Sequence, residues 1–396
     1  MKILVVCQYY YPENFQITPI CEQLAADGYD ITVLTGLPNY PTGVIPDEYK
    51  TGHRDEVVNG VRVIRCTEIV RKHSMFSLAI NFVSFVKSAS KMIDKLDPDY
   101  DLVFVYQLSP VLMAIPGRKY ARRYNVPMAI YCCDLWPESL KVHIKNERNP
   151  IFMLIKRISY SLYNSADKII CQSQSFVGYM RQIHRIPRER LSYIPAFADG
   201  NYLTMDFTPE NDTVDLVFLG NLGIAQNLIA VLEAIDKIKD VPGFKVHFVG
   251  EGSMLSEMIK FVDDHGLQDI VVFHGRRSVK EMPEFYKLAD ACLISLKADT
   301  RIGLTLPTKM QGYMAAGKPV LGMISGSARE VIEESGCGLV VNADDTDGFA
   351  GIIREFVLHR EKYSGCGPKA RSYFVKNFTK EICMKKLEEE FERMVK

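Results

Sequence analysis

The strongest chemical signal is one lysine. It lies in the run DTRIGLTLPTKMQGYMAAGKPVL, where Pro307 and Thr308 can start a short helix, Gly317 can stop it and a strand begins at Pro319. Lys309 then falls in the first turn, where a cation opposes the helix dipole at a local cost of about 0.3–1 kcal/mol. An anionic ligand reverses that penalty, so Lys309 is the first candidate for holding a diphosphate; the plain alternative is a solvated lysine. A second signal is FLGNLGIAQNLIAVLEAI. Gly220 and Gly223 permit a tight turn that bares the backbone, and the free amides of the helix behind it suit a phosphate, although an ordinary strand-to-helix turn reads the same way. SGSAREVIEESG gives another short helix with Glu330 near its start, a carboxylate that either complements the dipole or accepts bonds from a ribose diol. Other groups are set aside. Asp97, Asp99 and Asp101 have the spacing of a DxD metal site but precede a strand, at the sheet end away from bound ligands, and read as helix-ending turn chemistry. Asp344, Asp345 and Asp347 read as a cap for the next helix, and His274 as a strand-end residue. The first strand leads into QYYYPENFQIT, not GxGxxG, which speaks against a dinucleotide in the first half.

The elements that must hold these groups are short β-branched runs alternating with helical patterns. The expected strands are 2–7, 31–35, 61–66, 102–106, 128–132, 168–171 and 191–194, then 215–219, 245–249, 270–273, 291–295, 319–323 and 338–341. They are apolar on both faces, as buried parallel strands are, and the alternation predicts doubly wound α/β sheets. Between residues 195 and 213 the chain is rich in Pro, Gly, Asp and Asn, which divides it in two. The expected domains are 1–196 and 212–374, both Rossmann-like, with a C-terminal helix of about residues 375–396 packing back on the first. Ligands are expected in a cleft between the carboxyl ends of the two sheets.

Composition excludes several classes. The 396 residues are 47% hydrophobic and 24% charged, so the chain is neither disordered nor fibrous, and 48 basic side chains against 48 acidic ones do not suit a basic nucleic-acid binder. None of the ten cysteines forms a CxxC pair, which points to a reducing compartment without disulfides or zinc. The N-terminus lacks a secretory signal and no run approaches 18 apolar residues, so the expected place is the cytoplasm. Residues 71–91, RKHSMFSLAINFVSFVKSASK, read either as a core helix or as an interfacial helix docked on the inner membrane.

With these residues in hand, the chain resembles a family 4 glycosyltransferase of the GT-B fold, in the bacterial group that builds capsular polysaccharide, O-antigen and exopolysaccharide. The matching runs are YYPEN, DLWPES at 134–139, IPAF, FLGNLGIAQN, VGEGSMLSEM, FHGRRSVKEMPEFYKLAD, PTKMQGYMAAGKPV and AREVIEESGCGLVV. The resemblance implies two Rossmann-like domains facing each other across a cleft. It implies retaining, metal-independent transfer of a sugar from a nucleotide-diphosphate sugar, a UDP-sugar as first guess, to a glycan acceptor that can be polyprenyl-linked. No cofactor is implied. Carried over residue by residue, Gly220, Asn221, Gly223 and Gln226 face the phosphates. Glu251 and Gly252 lie near the nucleoside, and Arg276 flanks the base. Thr308, Lys309 and Glu330 face the diphosphate, ribose or sugar, Asn14 and Phe15 approach the donor from the first domain, and Asp134 orients the acceptor.

The chain departs from the pattern in several places. Asn221 and Gln226 stand where the family carries an Arg and a Lys, and Leu304 and Gly312 stand for its two glutamates. Phe15 and Gln16 replace paired glycines in the first loop. Those departures keep two alternatives in view: a sugar-nucleotide epimerase of the same fold, and a catalytically silent glycosyltransferase-like subunit.

Overall fold

The computed structural model describes residues 1–71, 74–142, 144, 146–198, 200–298 and 304–396. Lys72 of the apolar segment and residues 299–303 of the run before Lys309 lie outside the described residues. The chain forms two compact units, Met1–Ile194 with Met384–Lys396, and Pro195–Cys383.

The first unit is built on a sheet of eight strands: β1 (Lys2–Val6), β2 (Asp30–Thr35), β3 (Asp55–Val58), β4 (Val61–Arg65), β5 (Leu102–Gln107), β6 (Met128–Cys132), β7 (Lys168–Cys171) and β8 (Leu191–Tyr193). Their order is β3-β4-β2-β1-β5-β6-β7-β8. Every neighbouring pair is parallel except β3 and β4. β5 and β6 are buried at every position, as strands covered on both faces must be. Strand β3 was absent from the expected set. It alternates exposed and half-buried residues at the sheet edge, and Asn59 (φ 48°) and Gly60 (φ 83°) turn it back onto β4 with both residues left-handed, the geometry of a type I′ hairpin. The helix Met75–Ile93 buries Asn81, Phe85, Ala89 and Ile93, one per turn, and so packs on the core; Phe76 and Val83 lie on its exposed side.

The second unit holds β9 (Val214–Leu219), β10 (Phe244–Val249), β11 (Val271–Gly275), β12 (Ala291–Ser295), β13 (Val320–Met323) and β14 (Gly338–Val341), in the order β11-β10-β9-β12-β13-β14 and parallel throughout. Alternate side chains of β9 feed two cores: Leu216 and Phe218 pack with Leu232 and Phe248 on one face, Val217 and Leu219 with Met310 and Tyr313 on the other. The order reverses between β9 and β12, so the chains leaving those strands diverge and open a crevice at their carboxyl ends. All ten cysteines are buried free thiols. Among the described residues, no helix is long and apolar enough to cross a membrane.

Candidate active site

At the end of β9 the chain turns at Gly220, with φ 124°. Gly220 N–H donates to the Val249 carbonyl at 2.9 Å, Leu222 N–H to the Glu251 carbonyl at 2.8 Å, and Met254 N–H to the Leu222 carbonyl at 2.9 Å. The loops after β9 and β10 are thereby laced together. The lacing excludes side chains: a Cβ on Gly250 would lie 1.9 Å from the Gly220 carbonyl oxygen, and one on Gly252 2.3 Å from the Leu222 backbone. The amides of Asn221 and Gly223 reach no acceptor among the described residues, and so remain available to an anion. Gly220, Asn221, Gly250, Glu251, Arg276 and Arg277 line a cavity of about 290 Å³. The Glu251 and Arg276 side chains are exposed and pair with no other described residue.

Lys309 meets this turn from beside it. The helix Thr308–Ala315 has no side-chain cap and buries Met310, Tyr313 and Met314. The Tyr313 hydroxyl accepts the Leu219 N–H at 3.0 Å, which ties the helix to the end of β9. One turn earlier, Lys309 Nζ lies 3.8 Å from the centre of the Phe218 ring and donates to Gln226 Oε1 at 3.0 Å. A Cβ on Gly220 would stand 3.3 Å from the same nitrogen. No carboxylate pairs with it among the described residues, and burial draws its pKa down to about 7. Lys309 is half-buried against the Phe218 ring. An ammonium held on an aromatic face beside open amides, without a counter-ion, suits a phosphate.

The structure gathers Gly220, Asn221, Gly223, Gln226, Glu251, Gly252, Arg276 and Lys309 around the laced loops. Thr308, exposed, and Glu330, exposed in the first turn of the helix Ser327–Ser335, stand at helix N-termini on the same edge of the sheet; no hydrogen bond joins their side chains to that group. The departures from the family pattern have local partners. Gln226 is the acceptor for Lys309. At Gly312 a Cβ would meet the buried Tyr286 hydroxyl at 2.7 Å, so the tyrosine fills the space a longer residue would take. Leu304 is half-buried. His274 does not line the cavity; its Nε2 lies 2.9 Å from His247 Nδ1, whose Nε2 is 2.8 Å from Asp215.

In the first unit, Asp134 follows β6 at its carboxyl end. Its backbone carbonyl accepts from Gln107 Nε2 at 3.0 Å and from the Tyr163 hydroxyl at 3.4 Å, which fixes the loop. Its carboxylate accepts from Ser109 Oγ at 2.5 Å, and Ser109 Oγ in turn accepts from Trp136 Nε1 at 3.1 Å. Burial raises the Asp134 pKa, and the Ser109 bond opposes the rise. In the loop after β1, Asn14 is exposed, while the Phe15 ring stacks on Tyr9 at 5.4 Å and tilts against Tyr40 at 5.1 Å. Phe15 is therefore engaged in an aromatic cluster. The neighbouring Glu13 anchors the loop by accepting the Asn39 and Tyr40 amides at 2.8 and 2.5 Å, and burial pushes it up to about 7.

The acidic groups set aside have structural partners. Lys2 donates to Asp99 at 2.8 Å and its amide to Asp101 at 2.7 Å; Asp345 caps the helix Thr346–Leu358 through the Gly348 amide at 2.9 Å. Among the described residues no group of three or more His, Cys, Asp or Glu is placed to hold a metal ion.

Residues 15–196 match the glycosyl transferase 4-like domain, and residues 206–373 match the glycosyl transferases group 1 family. The chain is a family 4 glycosyltransferase. The Escherichia coli K12 glycosyl transferase WcaI, named for colanic acid biosynthesis, is 25% identical over 342 residues, which is 80% of this chain and 82% of that one. Two solved structures share the GT-B fold of this glycosyltransferase. Sucrose-phosphate synthase of Thermosynechococcus elongatus has a TM-score of 0.76 at 16% identity, over 99% of this chain and 98% of its own. Anabaena Alr3699/HepE, solved with UDP, has a TM-score of 0.74 at 15% identity, over 99% of this chain and 100% of its own. Sequence reasoning missed four groups that adjoin the candidate residues: in the second unit Phe218 beneath Lys309 and Arg277 beside Arg276, and in the first unit Ser109 with Trp136 behind Asp134. Trp136 is the single tryptophan of the chain and sits in DLWPES, a signal that was available; Ser109 carried none.

Proposed function

We propose that this enzyme moves a sugar, with retention of configuration, from a nucleotide-diphosphate sugar to a lipid-linked saccharide acceptor in the making of a cell-surface polysaccharide. The observation that carries the donor side is the unpaired ammonium of Lys309 beside the Gly220 turn. Uridine is the first base to test, because the Anabaena protein of like fold holds UDP. The naming of the E. coli relative for colanic acid supports a polysaccharide product.

Departure of the diphosphate builds negative charge, and Lys309 with the Asn221 and Gly223 amides stabilises it. Arg276 flanks the base, Glu251 and Gly252 the nucleoside, and Thr308 and Glu330 the ribose or sugar. Asn14 and Phe15 belong to the donor side of the first unit. Two carboxylates about 5 Å apart would mark a covalent route in a hydrolase. Here the acceptor attacks from the face the leaving group departs, the phosphate oxygen takes the acceptor proton, and Asp134 orients the acceptor hydroxyl. The region 1–196 serves the acceptor and 212–374 the donor, without cofactor or metal. The enzyme works in the cytoplasm, with residues 71–91 in peripheral contact with the inner face of the plasma membrane.

Thermal melting with nucleotides tests the donor side. UDP at a hundred times its dissociation constant adds about 2.7 kcal/mol of stability. Lys309→Ala is expected to lose that shift and all transfer while the ligand-free protein melts no lower. A full UDP shift in Lys309→Ala, or transfer at the parent rate, overturns the assignment.

A further inference from the structure

The loop that carries Asp134 is gripped from beneath by three polar side chains. Gln107 ends β5, Tyr163 lies on the helix Pro150–Ser165, and His184 follows the helix Gln174–Gln182; none is more than 1% exposed. One acceptor, the Asp134 carbonyl, draws three donors: Gln107 Nε2 at 3.0 Å, the Cys132 thiol at 3.3 Å and the Tyr163 hydroxyl at 3.4 Å. That hydroxyl also donates to Gln107 Oε1 at 2.9 Å, which sets the amide with its nitrogen toward the loop. Two residues on, the Trp136 carbonyl lies 3.1 Å from His184 Nε2. A carbonyl only accepts, so the imidazole carries its proton on Nε2. Burial pushes the His184 pKa down to about 4, and the ring is neutral at physiological pH. It packs edge-on against Tyr163 at 4.7 Å and Tyr179 at 5.5 Å, and the Tyr179 hydroxyl donates to Glu138 at 2.9 Å, farther along the same loop.

As a device for stability alone this arrangement is wasteful. His184 Nδ1 is buried with no hydrogen-bond partner among the described residues, a desolvation cost that an apolar ring in its place would not carry. Buried polar side chains spent on two backbone carbonyls specify where the loop lies more than how firmly the unit folds. What the loop presents is the Asp134 carboxylate, which accepts from Ser109 Oγ at 2.5 Å, and Ser109 Oγ accepts from the Trp136 indole at 3.1 Å. The chain Asp134–Ser109–Trp136 is therefore pinned at both ends, at the backbone of Asp134 by Gln107 and Tyr163 and at the backbone of Trp136 by His184.

We propose that Gln107, Tyr163 and His184 are positioning residues that fix the backbone at Asp134 and Trp136 and so hold the Asp134 carboxylate on Ser109, in the pose from which it acts. The proposal rests on the reading of Asp134 as the group that orients the acceptor. Trp136 is the only tryptophan of the chain, so its emission and its quenching by acrylamide report the loop in the full-length protein without any substrate. Tyr163→Phe and His184→Phe are expected to shift that emission to longer wavelength and raise the quenching, while melting curves stay cooperative. His184→Gln, whose amide N–H can replace the bond to the Trp136 carbonyl, is expected to restore the parent signal. Release of UDP from UDP-glucose is the second readout. Both phenylalanine variants should lower kcat by about ten- to a hundredfold with KM for UDP-glucose unchanged, since Arg276 and Lys309 are untouched. In Asp134→Asn, Tyr163→Phe should lower kcat no further, the mark of action through that carboxylate. An unchanged Trp136 signal in both phenylalanine variants overturns the proposal. So does an equal loss in His184→Gln and His184→Phe, or an undiminished effect of Tyr163→Phe in Asp134→Asn. The two readings fail separately: a Trp136 signal that shifts as expected, with parent-like kcat in Asp134→Asn, supports the grip on the loop and sinks the role given to Asp134. The emission decides the grip in a protein that releases no UDP from UDP-glucose as well.

Discussion

Lys309 is an ammonium that burial disfavours and that an anionic diphosphate would stabilise. Its pKa is about 7 in the folded protein, against 10.5 for an ordinary lysine. Between those values the unfolded chain binds more protons, so this residue makes stability rise with pH across that window. A bound diphosphate is expected to restore the charge. Nucleotide binding above about pH 7 is therefore expected to take up a proton and to weaken as pH rises; calorimetry in two buffers of different ionisation enthalpy reads the uptake, and Lys309→Met removes it. Asp134 is the mirror case. Burial raises its pKa, so the stability of this site is full below the ordinary carboxylate range and falls as pH rises toward the folded value. Asp134→Asn should thus raise the melting temperature at neutral pH while lowering turnover about a hundredfold. Near-parent turnover in that variant removes Asp134 from the mechanism. Ser109→Ala withdraws the hydrogen bond that opposes the raised pKa; the acidic limb of the pH–rate profile should move to higher pH, with a change in the emission of Trp136, which donates to Ser109.

At the scale of elements, the proposed donor site depends on two loops locked by backbone contact. Gly250, with φ 149° and the Gly220 carbonyl where its Cβ would be, cannot be replaced without moving the turn. Gly250→Ala should cost about 1–3 kcal/mol and abolish the UDP-induced melting shift; a retained shift would mean that the turn does not form the phosphate site. The parallel strands were readable because each is a compact apolar run between turn residues, and observed ends lie within two residues of the expected ones. Strand β3 escaped because Asp55-Glu56-Val57-Val58 is half polar, although Asn59-Gly60 after it was a hairpin signal in plain sight. Lys309 could be placed in its helix from sequence, since Pro307 and Gly317 mark the ends. Its ring contact with Phe218 and its bond to Gln226 could not, because they join residues 91 and 83 positions away, which only the packing of Thr308–Ala315 against β9 brings together. The same holds for Tyr286, whose hydroxyl explains why a side chain is missing at Gly312.

For the whole molecule, the two units differ in how they are completed along the chain. The second is continuous, from Pro195 to Cys383, with a core on each face of its sheet. Made alone, it should fold and give the UDP melting shift, since the amides, Arg276 and Lys309 all lie within it. The first is discontinuous: it borrows Met384–Lys396, where Phe391 is fully buried with its ring 4.9 Å from Phe104 of β5, and Glu390 pairs with Lys168 of β7 at 3.0 Å. A fragment ending at Ile194 leaves that apolar surface of the central strands bare, and losing a buried phenylalanine alone costs about 3–5 kcal/mol, a large share of a domain's stability. Residues 1–194 should therefore be unfolded or aggregated by themselves and regain cooperative melting when a peptide of residues 380–396 is supplied. Phe391→Ala in that peptide should fail to rescue. Cooperative melting of 1–194 without any peptide would show that the C-terminal helix is an addition to a finished fold and not part of its core.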